Sequence, residues 1–399
     1  MNKKHLYIVG ISAILVLSSI FIYLKIENEK IITSGEITKD ATWYGEITLT
    51  GDIIVRAGVT LTVMPGTVIN VQVGSDESNI GQLGPMDDLL TGDPTYDANA
   101  GGEEYIKTHI QIQVDGRIIS KGTPEKPADP HYTDWQGIYV NYGEFEYTKI
   151  SHSIRGIVAS PNFERLTVDH CHINNIWAAG IGYNNPKDPE TRSFVKHSTI
   201  EDCGHEAIDT HSTGHLEVAY NVIKNSQVGV NLHDKIDANT HHNLILNTTF
   251  PIIAIDASFA FVTQCTFVNV VGQDTSRWKY KGWTMPRFAN ACGIFAASQY
   301  VSNITVTNSI IKNAPCGMRI ENPSSVITMG YINFEDVSVD FDDGITAGAG
   351  IYHLNCGFED NILFKLSNDS PLKGKGNPED GNPDLGAYGG DNAENVLGW

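Results

Sequence analysis

The sequence is short of positive charge and of charge in general. Its 399 residues include 27 Lys and Arg against 47 Asp and Glu, a formal net charge of −20. This balance argues against nucleic acid as a partner, because phosphate contacts need cationic patches. Charged residues make up only 19% of the chain and hydrophobic residues 41%, which argues against an intrinsically disordered protein.

Cysteine is also scarce, and no two cysteines form a C-x-x-C pair. Six cysteines in a chain of this length are too few for a disulfide scaffold, and their spacing gives no support to a zinc ribbon or a thioredoxin-like site. We expect them to act as small buried hydrophobic residues. They are Cys171, Cys203, Cys265, Cys292, Cys316 and Cys356.

The one long apolar run lies at the N-terminus. Residues 6–24 carry no charged side chain and follow Lys3 and Lys4, which fits a signal peptide or an uncleaved signal anchor. The next residues, KIENEK, lack a small-x-small cleavage site and favour the anchor. We therefore expect residues 1–30 to attach the protein to a membrane, and residues 31–399 to form an extracytoplasmic domain.

The rest of the chain contains a repeat. The 38 Gly and 16 Pro indicate many short strands joined by turns. An apolar reference residue recurs at intervals of about 22 residues or a multiple, and an Asn or Asp follows it two residues later, which predicts a stacked polar ladder. The reference residues are Ile173, Ile200, Ile223, Ile245, Phe267 and Ile311. The polar residues are Asn175, Asp202, Asn225, Asn247, Asn269 and Asn313.

Each repeat holds three short apolar segments with alternating polarity. Three such strands cannot bury their inner faces alone, but coils stacked about 4.8 Å apart can, so the pattern predicts an all-β solenoid. A β-sandwich is the alternative, and it would not keep an Asn at a constant offset in every repeat. Stacked Asn side chains can satisfy backbone groups and one another without any functional role.

Three further stretches carry a family resemblance: TWYGEITLTGDIIVRAGVTLTVMPGTVINV, then IQVDGRIISKGTPEKP followed by WQGIYV, and the closing SPLKGKGNPEDGNPDLGAYGG. With the repeat, they make nearly all of residues 35–390 resemble the right-handed, single-stranded parallel β-helix proteins of the pectin-lyase-like superfamily. The resemblance implies that handedness and a closing segment at residues 366–390. It does not set the activity, because the scaffold carries lyases, hydrolases, adhesins and inert surface proteins.

Candidate catalytic residues follow from alternation along the third strand of each coil. If Ile208, Val230, Ile253 and Ile255 point inward, polar residues of the same segments point outward and share one face. Side chains one coil apart could then share a proton, a metal ion or a sugar, although solvated surface residues would give the same pattern. The candidates are Asp209, His211, His233, Asp256 and Arg319.

A second outward column predicts a surface stack, with transition-metal binding as the alternative. It consists of His170, His197, Tyr220 and His242, with His172 beside it.

Two insertions interrupt the repeat. Residues 271–291 are basic and aromatic and suit an anionic glycan, since aromatic rings pack on sugar C–H surfaces and cations pair with uronate groups. A flap that merely covers the solenoid is the alternative. The candidate substrate-binding residues are Arg277, Trp278, Lys279, Tyr280, Lys281 and Trp283.

Residues 75–107 are acidic and could bind Ca²⁺, the one candidate cofactor, although an acidic flexible loop is the simpler interpretation. Cys292 and Cys316 lie on successive coils, as a disulfide or as inward thiols.

Two classes of function remain. The first is a carbohydrate-active enzyme that cleaves an acidic, uronic-acid-containing polysaccharide by β-elimination, with Arg319 or a metal neutralising the uronate and His211, His233 or Lys279 as base. A hydrolase would need Asp209 and Asp256 as its carboxylate pair, in an inverting geometry. The second is a non-catalytic, membrane-tethered protein that binds glycan or contributes to the cell envelope. A metal-binding β-helix is a third hypothesis. Under each of the three we expect a monomer.

Overall fold

The computed structural model describes residues 31–72, 110–122, 135–176, 178–256, 258–271, 291–297, 301–380 and 384–389, and the backbone of residues 129–131. The predicted membrane segment 1–30, the acidic insertion and the interior of the basic aromatic insertion lie outside these residues. Within the described ranges, no helix is long and apolar enough to cross a bilayer.

The described residues form a parallel β-solenoid of about 10 turns with a spacing of about 23 residues, which confirms the predicted all-β solenoid. Each turn passes through three faces, which we call A, B and C, and strands of neighbouring turns pair in parallel. Short strands suffice because each one is hydrogen-bonded on both sides along its face.

Face A contains β1 (Gly35–Ile37), β4 (Ile53–Val55), β11 (Ile157–Ala159), β14 (Ile181–Tyr183), β17 (Glu206–Thr210), β20 (Val228–Leu232), β23 (Phe250–Ile255) and β26 (Ile294–Ala297). Face B contains β2 (Ala41–Trp43), β5 (Thr60–Val63), β12 (Arg165–Asp169), β15 (Arg192–Lys196), β18 (His215–Ala219), β21 (Asp237–His241), β24 (Phe259–Thr263) and β29 (Thr346–Ala347).

Face C contains β3 (Glu46–Leu49), β6 (Val68–Val71), β8 (Asp129–His131), β10 (Lys149–Ser151), β13 (His172–Ile176), β16 (Thr199–Cys203), β19 (Val222–Lys224), β22 (Leu244–Leu246), β25 (Thr266–Val268) and β30 (Ile351–Tyr352). Four longer strands bend from one face into the next, namely β7 (Gln111–Lys121), β9 (Gly137–Glu146), β27 (Asn303–Ile320) and β28 (Val326–Phe341). One 3₁₀ turn, Pro378–Asp380, lies near the C-terminus.

The core runs along the solenoid axis as columns of level side chains. One column on face A places an apolar residue inward on each of five successive turns, and all of its members are fully buried. Such columns remove both apolar faces of every side chain from water, at about 25 cal/mol per Å² of buried apolar surface. The members are Ile208, Val230, Ile252, Ile294 and Met318.

This register corrects one prediction on β23. We expected Ile253 and Ile255 to point inward. Instead, Ile252 and Ala254 point into the core. Ile253 and Ile255 belong to an apolar cluster on the outer side of face A. The segment FPIIAI is apolar on both sides, so alternation could not distinguish the two registers.

The predicted polar ladder is confirmed at the corner that follows each face C strand. Its residues adopt left-handed φ values that Asn and Asp tolerate better than other side chains, for example 57° at Asn225 and 53° at Asn247. Asn225 donates to Asp202 at 3.1 Å, Asn247 to Asn225 at 3.0 Å, and Asn269 to Asn247 at 3.1 Å. The ladder therefore has a sufficient structural explanation.

The second predicted column is confirmed as a ring stack at the corner between faces B and C. Its centroid separations lie between 4.6 and 5.1 Å, and its members also have left-handed φ values. The stack runs through Tyr147, His170, His197, Tyr220 and His242.

Cys292 and Cys316 occupy successive turns as expected, but as free thiols with Sγ atoms 3.4 Å apart. Their side chains belong to the apolar cluster on the outer side of face A and not to the axial core, which corrects the predicted inward orientation. Each cysteine lies two residues before an inward residue, Ile294 or Met318, so strict strand alternation would have placed it inward, and the chain departs from alternation at this point.

Candidate functional site

Three strands of face A, β17, β20 and β23, position the site. Inward Ile208 and Val230 hold β17 and β20 against the core, so the intervening Asp209 and Asn231 are level on the outer side. Both polar residues are nevertheless buried, with 1% and 8% of their surface exposed. A carboxyl buried on the outside of a sheet must be covered by neighbouring side chains, which marks this part of face A as more than a solvated surface.

Asp209 is the buried end of the site. Asn231 Nδ2 donates a hydrogen bond of 2.9 Å to Asp209 Oδ1, and His211 Nε2 lies 3.7 Å from Oδ2. Burial and then the neighbouring Glu206 raise the pKa of Asp209, while His211 and His205 oppose the rise. The carboxyl therefore holds its proton to higher pH than an ordinary aspartate does.

Two imidazoles form the accessible part of the site. His211 and His233 follow β17 and β20 on neighbouring turns, and their ring centroids are 4.6 Å apart. Their side chains are 36% and 22% exposed, so a ligand on face A can reach them. The sequence prediction that these two residues meet is confirmed.

Asp256 reaches the same group, although by a different register from the one expected. The inward set Ile252 and Ala254 places Ile255, not Asp256, level with His233. Asp256 lies in the left-handed bend that follows, and its Oδ2 is 3.4 Å from His233 Nε2.

Asp234 is a site residue that the sequence analysis missed. It follows His233 in a left-handed turn, and its two oxygens lie 3.4 Å from His211 Nδ1 and 3.1 Å from His233 Nδ1. The pattern of an Asp directly after an outward His at the end of a strand was visible in the sequence. It was passed over because strict alternation would turn Asp234 away from the face.

A buried charged group beneath Asp209 was also missed. Glu206 and His205 are at least nine-tenths buried and form an ion pair, while Arg155 lies two turns earlier with 1% exposure. Burial lowers the pKa of His205, but Glu206 and Asp209 outweigh it, so the net shift is upward. The intervening turn contributes the buried Ala178 and Ala179 and then Gly180, where a Cβ would lie only 2.8 Å from the Ala207 carbonyl oxygen.

Arg319 lies on the outer side of face A as expected, but far from the histidines. Its register column runs from Asp209 through Asn231, Ile253 and Phe295, so four strand spacings of about 4.8 Å separate the two ends. Arg319 Nε lies 3.3 Å from Asp342 Oδ2. The structure therefore brings together four of the five predicted catalytic residues, and the six predicted substrate-binding residues of 271–291 lie outside the described ranges.

Chemically, the site joins a buried carboxyl with a raised pKa to two accessible imidazoles lined by carboxylates. This arrangement can transfer protons or hold a cation. No family model matches the chain. The comparisons with curated proteins and with solved structures also found no match.

Proposed function

We propose that the protein cleaves an acidic, uronic-acid-containing polysaccharide by β-elimination on the outer side of face A. The observation that carries the proposal is the His211–His233 pair, accessible to a ligand and backed by the buried carboxyl of Asp209. The long row of parallel strands suits an extended ligand, because its side chains recur at a constant spacing. Membership of the pectin-lyase-like superfamily is part of this proposal.

Elimination at a uronic acid requires a base that removes the carbon-bound proton next to the carboxylate. The electron pair of that C–H bond forms a C=C bond, the glycosidic C–O bond on the next carbon breaks, and the leaving oxygen takes up a proton from the protonated base or from water. His211 or His233 supplies the base, since imidazole is the side chain that most often acts as a general base in enzymes. Asp209 acts through His211 and is a positioning residue, because at 1% exposure it cannot contact a polymer. Asp256, which is more exposed, positions His233 in the same way.

The uronate carboxylate must also be neutralised. Arg319 is too far along the column to act on a sugar held at His211, so it serves a neighbouring subsite. We assign the neutralising role to the basic segment 271–291, through Arg277, Lys279 or Lys281. The burial of Asp209 favours elimination over hydrolysis, because a hydrolase needs both carboxyl groups beside the scissile bond.

The test is to incubate the full-length protein with a panel of acidic polysaccharides while following ultraviolet absorbance and reducing ends. A rise in both indicates an unsaturated product and elimination, whereas new reducing ends alone indicate hydrolysis. His211→Ala and His233→Ala should each reduce the rate at least about 100-fold, the usual contribution of general acid–base catalysis. His215→Ala is the matched control, since His215 pairs with Asp237 on face B.

A non-catalytic glycan-binding protein is the second candidate, and one observation favours it. Phe259 and Phe261 on β24 are 51% and 47% exposed, and Asn239 and Asn303 lie on the flanking strands. Aromatic rings beside amides are typical of sugar-binding surfaces. Two results together would favour this candidate. No polysaccharide of the panel is cleaved, and the protein is retained on a polysaccharide column unless Phe259→Ala or Phe261→Ala is introduced.

We further propose that the solenoid is exported and held at the membrane by residues 1–30, as the apolar run and its basic flank indicate. Such a position gives the outer side of face A access to extracellular polymers. Fractionation of cells that express the tagged chain tests this: recovery in the soluble cytoplasmic fraction would contradict it.

A further inference from the structure

The Nδ1 atoms of two histidines converge on one carboxylate. His211 Nδ1 lies 3.4 Å from Asp234 Oδ2, and His233 Nδ1 lies 3.1 Å from Asp234 Oδ1. These three side chains offer ligand atoms that all lie within 4.8 Å of one another. His233 Nδ1 is buried and has no hydrogen-bond partner among the described residues. The group thus brings two ring nitrogens and a carboxylate to one point, which a shared proton or a bound cation can occupy.

The opposite nitrogens of the same rings face two other carboxylates. His211 Nε2 lies 3.7 Å from Asp209 Oδ2, and His233 Nε2 lies 3.4 Å from Asp256 Oδ2. Metal-binding histidines almost always donate their second N–H to a carboxylate, a carbonyl or water, which orients the ring and leaves the first nitrogen free to bind. Each ring therefore has a carboxylate near its second nitrogen, although neither the 3.7 Å nor the 3.4 Å contact is a hydrogen bond in this structure.

A second cluster in the described part of the chain, Asp169, His170 and His197, also brings its ligand atoms within 4.8 Å of one another, but a ring stack accounts for the orientation of its histidines. His170 Nδ1 and His197 Nδ1 both lie against the same oxygen, Asp169 Oδ1, at 2.9 and 2.8 Å. Their rings are held parallel between Tyr147 and Tyr220, so the stack itself accounts for their orientation. Asp169 Oδ1 forms a hydrogen bond with His197 Nδ1, whereas His170 Nδ1, like His233 Nδ1, is buried without a hydrogen-bond partner among the described residues. The two clusters therefore differ in the ring stack and in the number of carboxylates that face the rings, and the experiment below includes a variant of each.

We propose that His211, His233 and Asp234 bind one divalent transition-metal ion, with Asp209 and Asp256 orienting the two rings. Two imidazoles and one carboxylate suit Zn²⁺, and they leave a coordination position open to water or a ligand. Because the metal would occupy the Nδ1 atoms, it would compete with proton transfer by the same histidines. This second consequence rests on the proposed function, whereas binding does not.

The test of binding is a titration of the chelator-stripped, full-length protein with Zn²⁺ against a chromophoric competitor, with Co²⁺ spectra as a second probe. We expect one ion per chain. His211→Ala, His233→Ala and Asp234→Asn should each weaken binding at least about 10-fold, and Asp256→Asn about 10-fold, the lower end for residues that orient a ligand. His215→Ala should bind like the parent protein. Circular dichroism establishes that each variant is folded.

Two results would contradict the proposed metal site. One is that the parent protein does not bind Zn²⁺ stoichiometrically. The other is that His197→Ala abolishes Zn²⁺ binding while His211→Ala leaves it intact. Cleavage assays then separate this proposal from the previous one. Inhibition of cleavage over the same Zn²⁺ range in which binding occurs supports both. Binding without any cleavage supports the metal site alone, and cleavage without binding supports the proposed function alone.

Discussion

Asn231 donates a hydrogen bond of 2.9 Å to Asp209 on the neighbouring turn, and both side chains are buried on the outer side of face A. Face A thus contains buried polar groups at a place where a purely structural solenoid would need only apolar side chains. An unsatisfied buried polar group costs stability, so the pair can be tested directly.

Asn231→Ala is expected to lower the free energy of unfolding by about 1–3 kcal/mol at neutral pH, because it leaves the Asp209 carboxyl without its amide donor. Denaturant unfolding of parent and variant measures the difference. Asn239→Ala, at an exposed position of β21, is the control and should change stability by less than about 0.5 kcal/mol. Equal effects of the two substitutions would contradict the burial of Asn231.

Asp209→Asn is expected to raise stability at neutral pH. Burial and Glu206 raise the folded-state pKa of Asp209, so its charged form costs stability above that pKa and costs nothing below the unfolded value. The advantage of the variant should therefore shrink as the pH falls toward about 4, the ordinary range of aspartate. Unfolding measured across this range gives the result, and an advantage that grows on acidification would refute it.

Glu201 should make the solenoid sensitive to acid. Hydrogen bonds from His172 and Lys224, at 2.7 and 2.8 Å, lower the pKa of Glu201 to about 2, against burial. A lowered folded-state pKa contributes stability above the unfolded value of 4.5, and this is lost as the pH falls toward about 2. Discounted for partial exposure, we expect about 1–2 kcal/mol. Glu201→Gln should unfold with a weaker pH dependence over this window; an unchanged dependence would exclude the contribution.

Asn243 belongs to a buried ladder beneath the corner of faces B and C. Its Oδ1 accepts from the Asn221 amide nitrogens, and its Nδ2 donates 2.7 Å to the Val218 carbonyl. Asn243→Ala should cost about 2–4 kcal/mol, since several buried backbone and side-chain groups lose partners at once. Thermal unfolding measures this, and Asn239→Ala again serves as control. A cost below that of the control would show that water replaces the lost bonds.

Ile252→Ala tests the register of β23. Ile252 lies in the axial core, so its truncation should cost about 2–5 kcal/mol. Phe261→Ala on the exposed side of β24 removes a larger side chain yet should cost far less, because that ring already contacts water. Comparable losses would place Ile252 outside the core.

The repeat made much of the fold predictable. The Asn and Asp residues at a constant offset from Ile200, Ile223 and Ile245 indicated stacked coils because only a chain that returns in register keeps such an offset. The choice between Ile252 and Ile253 was not predictable, because the outer apolar cluster makes both sides of β23 apolar.

The candidate site was predictable only in part. His211 and His233 met as expected because each follows a strand whose partner register is set by the repeat. Asp234 and Asp256 reach them through left-handed bends that alternation does not describe. The charge of Arg155 acts to lower the pKa of both His205 and Asp209 from two turns away, a relation between distant parts of the chain that carries no local pattern.

By itself, the sequence determined the solenoid, its ladders and the face on which the histidines lie, because period-two alternation and the return of each coil are local, repeated constraints. Only the tertiary structure decided which carboxylate faces which ring nitrogen and that Asp209 is buried. These depend on side-chain packing between turns and on the bends at Asp234 and Asp256.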